Sequence, residues 1–272
     1  MSALRRFGYG CVGVAALFGL AARGSPVLAE ALVKFASAAP PAQVELRSDP
    51  IQGYLTKPKG AGPFPAVVLL HSCLGLPAAR RSMADTLAGW GYVALFVDDF
   101  TTRGVSETCA VDFNEALPDA YGALAFLSRL PYVDPARIAA IGFSQGADTA
   151  LKIASSRPPA ASGSVNDPAF KAAAAFYPPC DNVANLRLQI PTLILVGAMD
   201  DVTPAADCER LARRQPGSVV RLVVYLRARH GFDNPEFGDG ARLLGMWLAY
   251  DREAAQRSRA ELRDFLAARV AR

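Results

Sequence analysis

The sequence predicts an α/β fold: a doubly wound, mostly parallel sheet with helices on both faces. Three observations carry this. From residue 66 onward, short apolar runs alternate with stretches of helical period. The segment Gly142-Phe143-Ser144-Gln145-Gly146 sits between an apolar run (137–141) and a helix-like stretch (147–155). Ser144, Asp200 and His230 each fall just past the carboxyl end of an expected strand.

The first 29 residues read as a secretory signal. Arg5 and Arg6 form a charged start, and residues 7–22 are an apolar run too short for a membrane span. Val27-Leu28-Ala29 before Glu30 offers a cleavage site. The paired arginines match the twin-arginine route only loosely, and an uncleaved anchor is the alternative. After removal of residues 1–29, no stable membrane insertion is expected. Residues 30–272 then suit one α/β domain with a full core.

The remaining elements follow in order. Residues 36–42 are an Ala/Pro-rich lead-in. Residues 44–47 and 51–56 read as edge strands around a turn at Ser48-Asp49-Pro50. Residues 57–65 hold three Pro and two Gly and must be loop. Residues 66–70 form the first fully apolar strand. Residues 78–89 show helical spacing at Met83, Leu87 and Trp90, and 92–97 is the next strand. Residues 112–129 carry Phe113, Ala116, Leu117, Ala120, Leu124 and Leu127 on a helical period interrupted only by Pro118. After the 142–146 turn and its helix, residues 157–167 (Pro, Ala, Ser, Gly) form an exposed connection. Strands at 172–177, 190–196 and 219–226 alternate with a helix at 205–214, and 239–268 reads as one or two terminal helices.

Strand, tight turn and helix around G-x-S-x-G make a nucleophile elbow. The glycines let a strained Ser stand exposed at the carboxyl end of the sheet. The chain order Ser…Asp…His is that of α/β-hydrolases, and one of only two histidines falls where that template needs its base. A Ser hydroxyl is a poor nucleophile at neutral pH. His230, with a reference pKa of about 6.5 for its type, would take the proton and return it to the leaving group. Asp200 would fix the imidazole tautomer and stabilise the imidazolium. Asp201 is its rival, set aside because Asp200 lies three residues past the strand-ending Gly197. The oxyanion needs preorganised donors. The backbone N–H of Gln145 is expected to be one and that of Cys73 or Ser72, in the loop after the 66–70 strand, the other.

These residues resemble a family. Val67-Val68-Leu69-Leu70-His71 with Gly75-Leu76, Gly91-Tyr92-Val93-Ala94, the elbow, Phe176-Tyr177-Pro178, Gly197-Ala198-Met199-Asp200-Asp201-Val202-Thr203-Pro204 and His230-Gly231-Phe232-Asp233-Asn234-Pro235 look like the dienelactone hydrolases, over about residues 44–250. The resemblance implies the α/β-hydrolase fold, hydrolytic chemistry and the roles just given to Ser144, Asp200 and His230. Dienelactone hydrolases proper carry Cys at the nucleophile position. This chain has Ser144, which points away from the dienelactone substrate and towards an esterase.

Formal net charge is +4, but Arg5, Arg6 and Arg23 lie in the signal with no acid beside them, so the rest is near neutral. No basic stripe suggests nucleic acid. Arg252, Arg257, Arg259 and Arg263 among acids on the last helix read as a solvated face. Four of the five Cys lie beyond the signal. Each follows a strand on the same sheet edge, which predicts disulfides Cys73–Cys109 and Cys180–Cys208. C-x-x-C spacing is absent and His is scarce, so neither a metal nor a cofactor is expected.

His71 is expected to support the oxyanion loop by hydrogen bonding. Arg80, Arg81 and Arg103 leave the active-site edge and are candidates to clamp a substrate carboxylate. Asp98 and Asp99 end a strand at the same edge. Phe143, Tyr177 and Phe232 are candidates for an acyl pocket. No insertion is long enough for a large lid. The expected activity is cleavage of small esters or lactones. A peptidase or acyltransferase on the same scaffold, and a catalytically idle binding protein, are the alternatives.

Overall fold

The computed structural model describes residues 30–38, 50–111, 113–156 and 168–271. The signal segment, the expected strand at 44–47 and the connection at 157–167 lie outside the described residues. Strand β1 (Ala31–Ala36) pairs antiparallel with β2 (Pro50–Thr56), Phe35 opposite Ile51. Sequence reading misses β1 because only Val33 and Phe35 turn inward, too few positions to show alternation beside an Ala/Pro-rich stretch. Then come β3 (Phe64–Leu70), α1 (Arg80–Gly89), β4 (Val93–Asp98), α2 (Ala116–Ser128), β5 (Val133–Phe143), α3 (Gln145–Ser155), β6 (Phe170–Phe176), β7 (Thr192–Gly197), α4 (Ala205–Arg214) and β8 (Val220–Tyr225). These are the strands and helices expected from residue 66 on, with ends displaced by a few residues.

Residues 239–250 are a correction. Instead of helix they form a hairpin, β9 (Ala241–Leu243) with β10 (Met246–Leu248), before α5 (Arg252–Arg269). Leu244 and Gly245 occupy positive φ (49° and 83°), the backbone of a tight primed turn that a helix cannot hold. Asp251 caps α5, its carboxylate accepting from the Ala254 N–H at 2.9 Å.

The large sheet runs β1-β2-β4-β3-β5-β6-β7-β8. β2 pairs antiparallel with β1 on one side and β4 on the other, and every pairing from β4 to β8 is parallel. The central strands are buried on both faces, which is why they read as unbroken apolar runs. One face packs against α1 and α5 through Met83, Leu87, Leu262 and Leu266. The other packs against α2, α3 and α4 through Leu124, Leu151 and Leu211. Pro118 does not break α2. It lies in the first turn, where helical N–H groups have no partner to lose. Among the described residues no helix is long and apolar enough to cross a membrane.

Parallel strands bring the loops after β3, β5, β7 and β8 to one edge. His71, Ser144, Asp200 and His230 are therefore neighbours although 159 positions of sequence separate the first from the last.

Candidate active site

Ser144 stands between β5 and α3 with φ 52° and ψ −112°, a strained conformation for a residue with a side chain. Its N–H donates to Phe176 O at 3.0 Å, which ties the turn to β6. The flanking glycines are required by close approach. A Cβ on Gly142 would strike Gly146 O, and one on Gly146 would strike Leu70 O and His71 O.

The hydroxyl of Ser144 lies 3.0 Å from Nε2 of His230, and Nδ1 of His230 lies 2.9 Å from Oδ2 of Asp200. All three are buried. Asp200 is anchored: its Oδ1 accepts from the N–H groups of Val202 and Thr203 at 2.9 and 2.8 Å. The Thr203 hydroxyl donates to Asp200 Oδ2 at 2.9 Å and sits 3.1 Å from His230 Nδ1. Asp201, the rival carboxylate, is exposed. This arrangement can move a proton from Oγ to Nε2 while the carboxylate holds the ring.

Cys73 is bridged to Cys109, Cα to Cα 4.8 Å, and Cys180 to Cys208, 5.0 Å. Cys73 and Ser72 line the cleft beside Ser144. Cys73 O accepts from Thr108 N–H at 2.9 Å, and the Thr108 hydroxyl donates to Gln145 Oε1 at 2.8 Å. The residue bearing each expected oxyanion donor is thus tied to the same short segment.

The cleft is mostly apolar, walled by Met83, Phe96, Phe143, Phe237, Met246 and Leu248. The last two come from the β9–β10 hairpin, so the segment read as helix supplies part of the pocket. Of the aromatic residues expected there, Phe143 and Tyr177 line it, whereas Phe232 is fully buried in the core. Tyr177 sits at φ 41° with its ring 4.7 Å from the His230 ring. Its hydroxyl donates to Asp233 Oδ1 at 2.7 Å. Burial, then the Asp233 charge, pushes the Tyr177 phenol well above its ordinary value. Burial likewise raises the Asp233 carboxyl, against the pull of Tyr177, Arg259 and His230.

The arginines fall differently from expectation. Arg103 is bound bidentately by Asp119, at 2.7 and 3.0 Å, and is spent structurally. Arg81 pairs with Asp85 on an exposed helix face, and the side chain of Arg80 lies outside the described residues. Arg259, assigned from sequence to a solvated face, instead lines the cleft half-buried. Helical period gives the angle of a residue on α5, but not that an active site lies beside it.

Comparison with known proteins gives the family and the fold. Residues 51–270 match the dienelactone hydrolase family. The "Uncharacterized protein Rv2307c" of Mycobacterium tuberculosis is 32% identical over 201 residues, 67% of this chain and 68% of that protein. Esterase FrsA of Escherichia coli is 33% identical over 108 residues, 39% of this chain but only 25% of the esterase. Among solved structures, a putative dienelactone hydrolase from Klebsiella pneumoniae superposes with a TM-score of 0.64 at 22% identity, covering 87% of this chain and 99% of that one. A dienelactone hydrolase-like promiscuous phosphotriesterase from metagenomic libraries gives 0.65 at 23% identity, covering 88% and 98%. These two likenesses concern the fold. The family match spans most of the chain, and the chain belongs to the dienelactone hydrolase family, hydrolases of the α/β-hydrolase fold.

Proposed function

We propose that this protein is a serine hydrolase that cleaves small esters or lactones through an acyl-enzyme. The observation that carries the reading is the continuous contact from Ser144 Oγ through His230 to Asp200, at 3.0 and 2.9 Å. Ser144 Oγ attacks the carbonyl carbon and its proton passes to His230 Nε2. The backbone N–H groups of Gln145 and Cys73 receive the oxyanion. Collapse breaks the ester C–O bond, and the leaving oxygen takes the proton from His230. A lactone stays tethered through its acyl chain. Water then repeats the sequence against the acyl-enzyme and frees Ser144.

The apolar cleft suits a short acyl chain or small ring, and Arg259 offers a counter-ion to a substrate that carries a carboxylate. The two cysteine pairs support an oxidising, exported setting, in line with a signal at residues 1–29. The test is hydrolysis of p-nitrophenyl acetate and butyrate by the chain from Glu30 onward, beside its Ser144→Ala variant. Turnover lost in the variant supports the reading. Turnover retained overturns it.

A further inference from the structure

His71 directly follows β3 and lines the cleft, and its contacts bear on where its protons are. Nδ1 lies 2.7 Å from the carbonyl oxygen of Ser72. A carbonyl only accepts, so Nδ1 carries a hydrogen. Nε2 lies 2.6 Å from Oδ1 of Asp99. Neither atom has a hydrogen-bond partner of good geometry, so the contact is an ion pair, which favours the imidazolium form of the ring facing the carboxylate.

The Ser72 carbonyl also accepts from the Gly75 N–H at 3.0 Å. In a trans peptide, C=O and N–H point in opposite directions across one plane. Pinning Ser72 O against His71 therefore aims the N–H of Cys73, the other end of the same peptide, away from His71. The Cys73 carbonyl is held separately by Thr108 N–H at 2.9 Å. The ring is confined as well: Phe100 packs edge-on at 4.4 Å between centroids, and the backbone of Gly146 abuts His71 O.

We infer that His71 is a positioning residue, held protonated by Asp99, whose Nδ1–H aims the Cys73 N–H as an oxyanion donor, so that loss of its second proton switches the enzyme down at alkaline pH. The inference rests on the serine-hydrolase reading above. The charged groups facing His71 are Asp99 and Asp98 from the end of β4, and Arg103 from the following turn. Arg103 donates to Asp99 O at 2.6 Å and is itself held by Asp119 of α2, with Glu115 at 4.0 Å. His230 lines the same cleft, with Asp200 buried behind it. Asp98 is satisfied elsewhere, by Gln52 Nε2 at 2.7 Å and Thr101 N–H at 3.0 Å. Burial lowers the His71 value, but Asp99, helped by the Ser72 bond and Asp98, more than offsets it and leaves it raised above 6.5.

When the ring loses its Nε2 proton, the Asp99 carboxylate faces a lone pair. The ring then turns or withdraws, Ser72 O keeps only the Gly75 N–H of its two donors, and the Cys73 N–H is held less firmly. The alkaline limb of the rate profile belongs to His71.

The experiment follows the rate of Ser144 phosphonylation by a fluorophosphonate from about pH 5 to about pH 10, in wild type and Asp99→Asn. It is paired with nuclear magnetic resonance titration of the His71 ring, straightforward because the chain holds two histidines. Wild type should lose about 10-fold or more in rate above the alkaline limb, consistent with a misaimed donor. The midpoint of that limb should coincide with the His71 titration. In Asp99→Asn the amide N–H donates to Nε2 of a neutral ring, Nδ1–H stays on Ser72, and the alkaline limb disappears. A limb unchanged in Asp99→Asn, or a wild-type limb away from the His71 midpoint, overturns the inference while leaving the serine hydrolase intact. The second comparison needs no variant to fold. Ser144 unlabelled at every pH overturns the serine-hydrolase reading, and this inference with it.

Discussion

The hydroxyl of Thr108 donates to Oε1 of Gln145 at 2.8 Å across 37 positions of sequence. Thr108 also donates its N–H to Cys73 O, and its neighbour Cys109 is bonded to Cys73. One exposed loop thereby grips both residues proposed to bind the oxyanion. Thr108→Val keeps the shape and removes the hydroxyl donor. A lost hydrogen bond of this kind is worth about 1 kcal/mol, or about fivefold in rate if it acts in the transition state. The expected result is a several-fold fall in kcat with KM little changed, read by steady-state kinetics on p-nitrophenyl acetate. A rise in KM at constant kcat would place Thr108 in substrate binding instead.

The two disulfides should separate under mild reduction. Cys180 and Cys208 are 1% and 0% exposed, whereas Cys109 is only half-buried. A thiolate needs access to sulfur. Dithiothreitol should therefore open Cys73–Cys109 first, and activity should fall before the thermal transition moves far. Cys180→Ser with Cys208→Ser should instead cost about 2–4 kcal/mol of stability with little change in kcat at low temperature. Mass mapping of alkylated cysteines against residual activity checks the order. Simultaneous opening of both bridges would contradict it.

Asp200 and Asp201 are adjacent yet should behave as unrelated residues. Asp200 accepts from two backbone N–H groups, Thr203 and His230, and Asp201 lies exposed. Asp200→Asn presents an amide to His230 Nδ1 and stabilises the wrong tautomer, with an expected loss of about 10⁴ in kcat. Asp201→Asn should stay within twofold of wild type. Equal losses in the two variants would unseat Asp200 as the acid.

Much of this site is legible in the sequence because strand ends punctuate it. Buried parallel strands give unbroken apolar runs, and the residues just past their carboxyl ends are the ones the fold collects. That rule reaches Ser144, His230 and both cysteine pairs, and Gly197 three positions earlier selects Asp200. It does not reach Arg259, which arrives from a helix after the last strand, where nothing local marks the neighbouring cleft. Nor does it reach the β9–β10 hairpin, whose two three-residue strands are too short for a period and whose apolar residues imitate a helix. The His71–Asp99 pair lies between: both residues sit at strand ends, but only the sheet order, with β4 beside β3, makes them partners.

Asp233 should make stability depend on pH in a definite direction. Its folded value is raised above 3.8, burial being the largest cause. The folded chain therefore binds this proton more tightly than the unfolded chain does. Stability is lost as pH rises from 3.8 through the raised value, and the cost persists at neutral pH. Asp233→Asn keeps an oxygen to accept from Tyr177 and removes the charge. The variant should melt higher than wild type at neutral pH, and the difference should shrink to nothing as pH falls below that window. A variant that melts lower at neutral pH would mean that the attraction of Arg259 and His230 outweighs the burial cost.

Arg259 should discriminate between substrates by charge. It projects from α5, whose buried Ser258, Leu262 and Leu266 fix the helix against the sheet, so its position is set by the core and not by the surface. Among the described residues that line the cleft it is the one arginine, and no lysine joins it. A charge-assisted contact to a carboxylate contributes about 1.5–3 kcal/mol, roughly a 10- to 100-fold change in binding. Arg259→Ala should therefore raise KM by about 10-fold or more for an ester bearing a free carboxylate on its acyl group. The matching neutral ester should change little, since it loses only packing against the aliphatic stem. Parallel kinetics on a monoester of a dicarboxylic acid and on its neutral analogue make the comparison. Equal losses on both would show that Arg259 shapes the cleft rather than reading the substrate's charge.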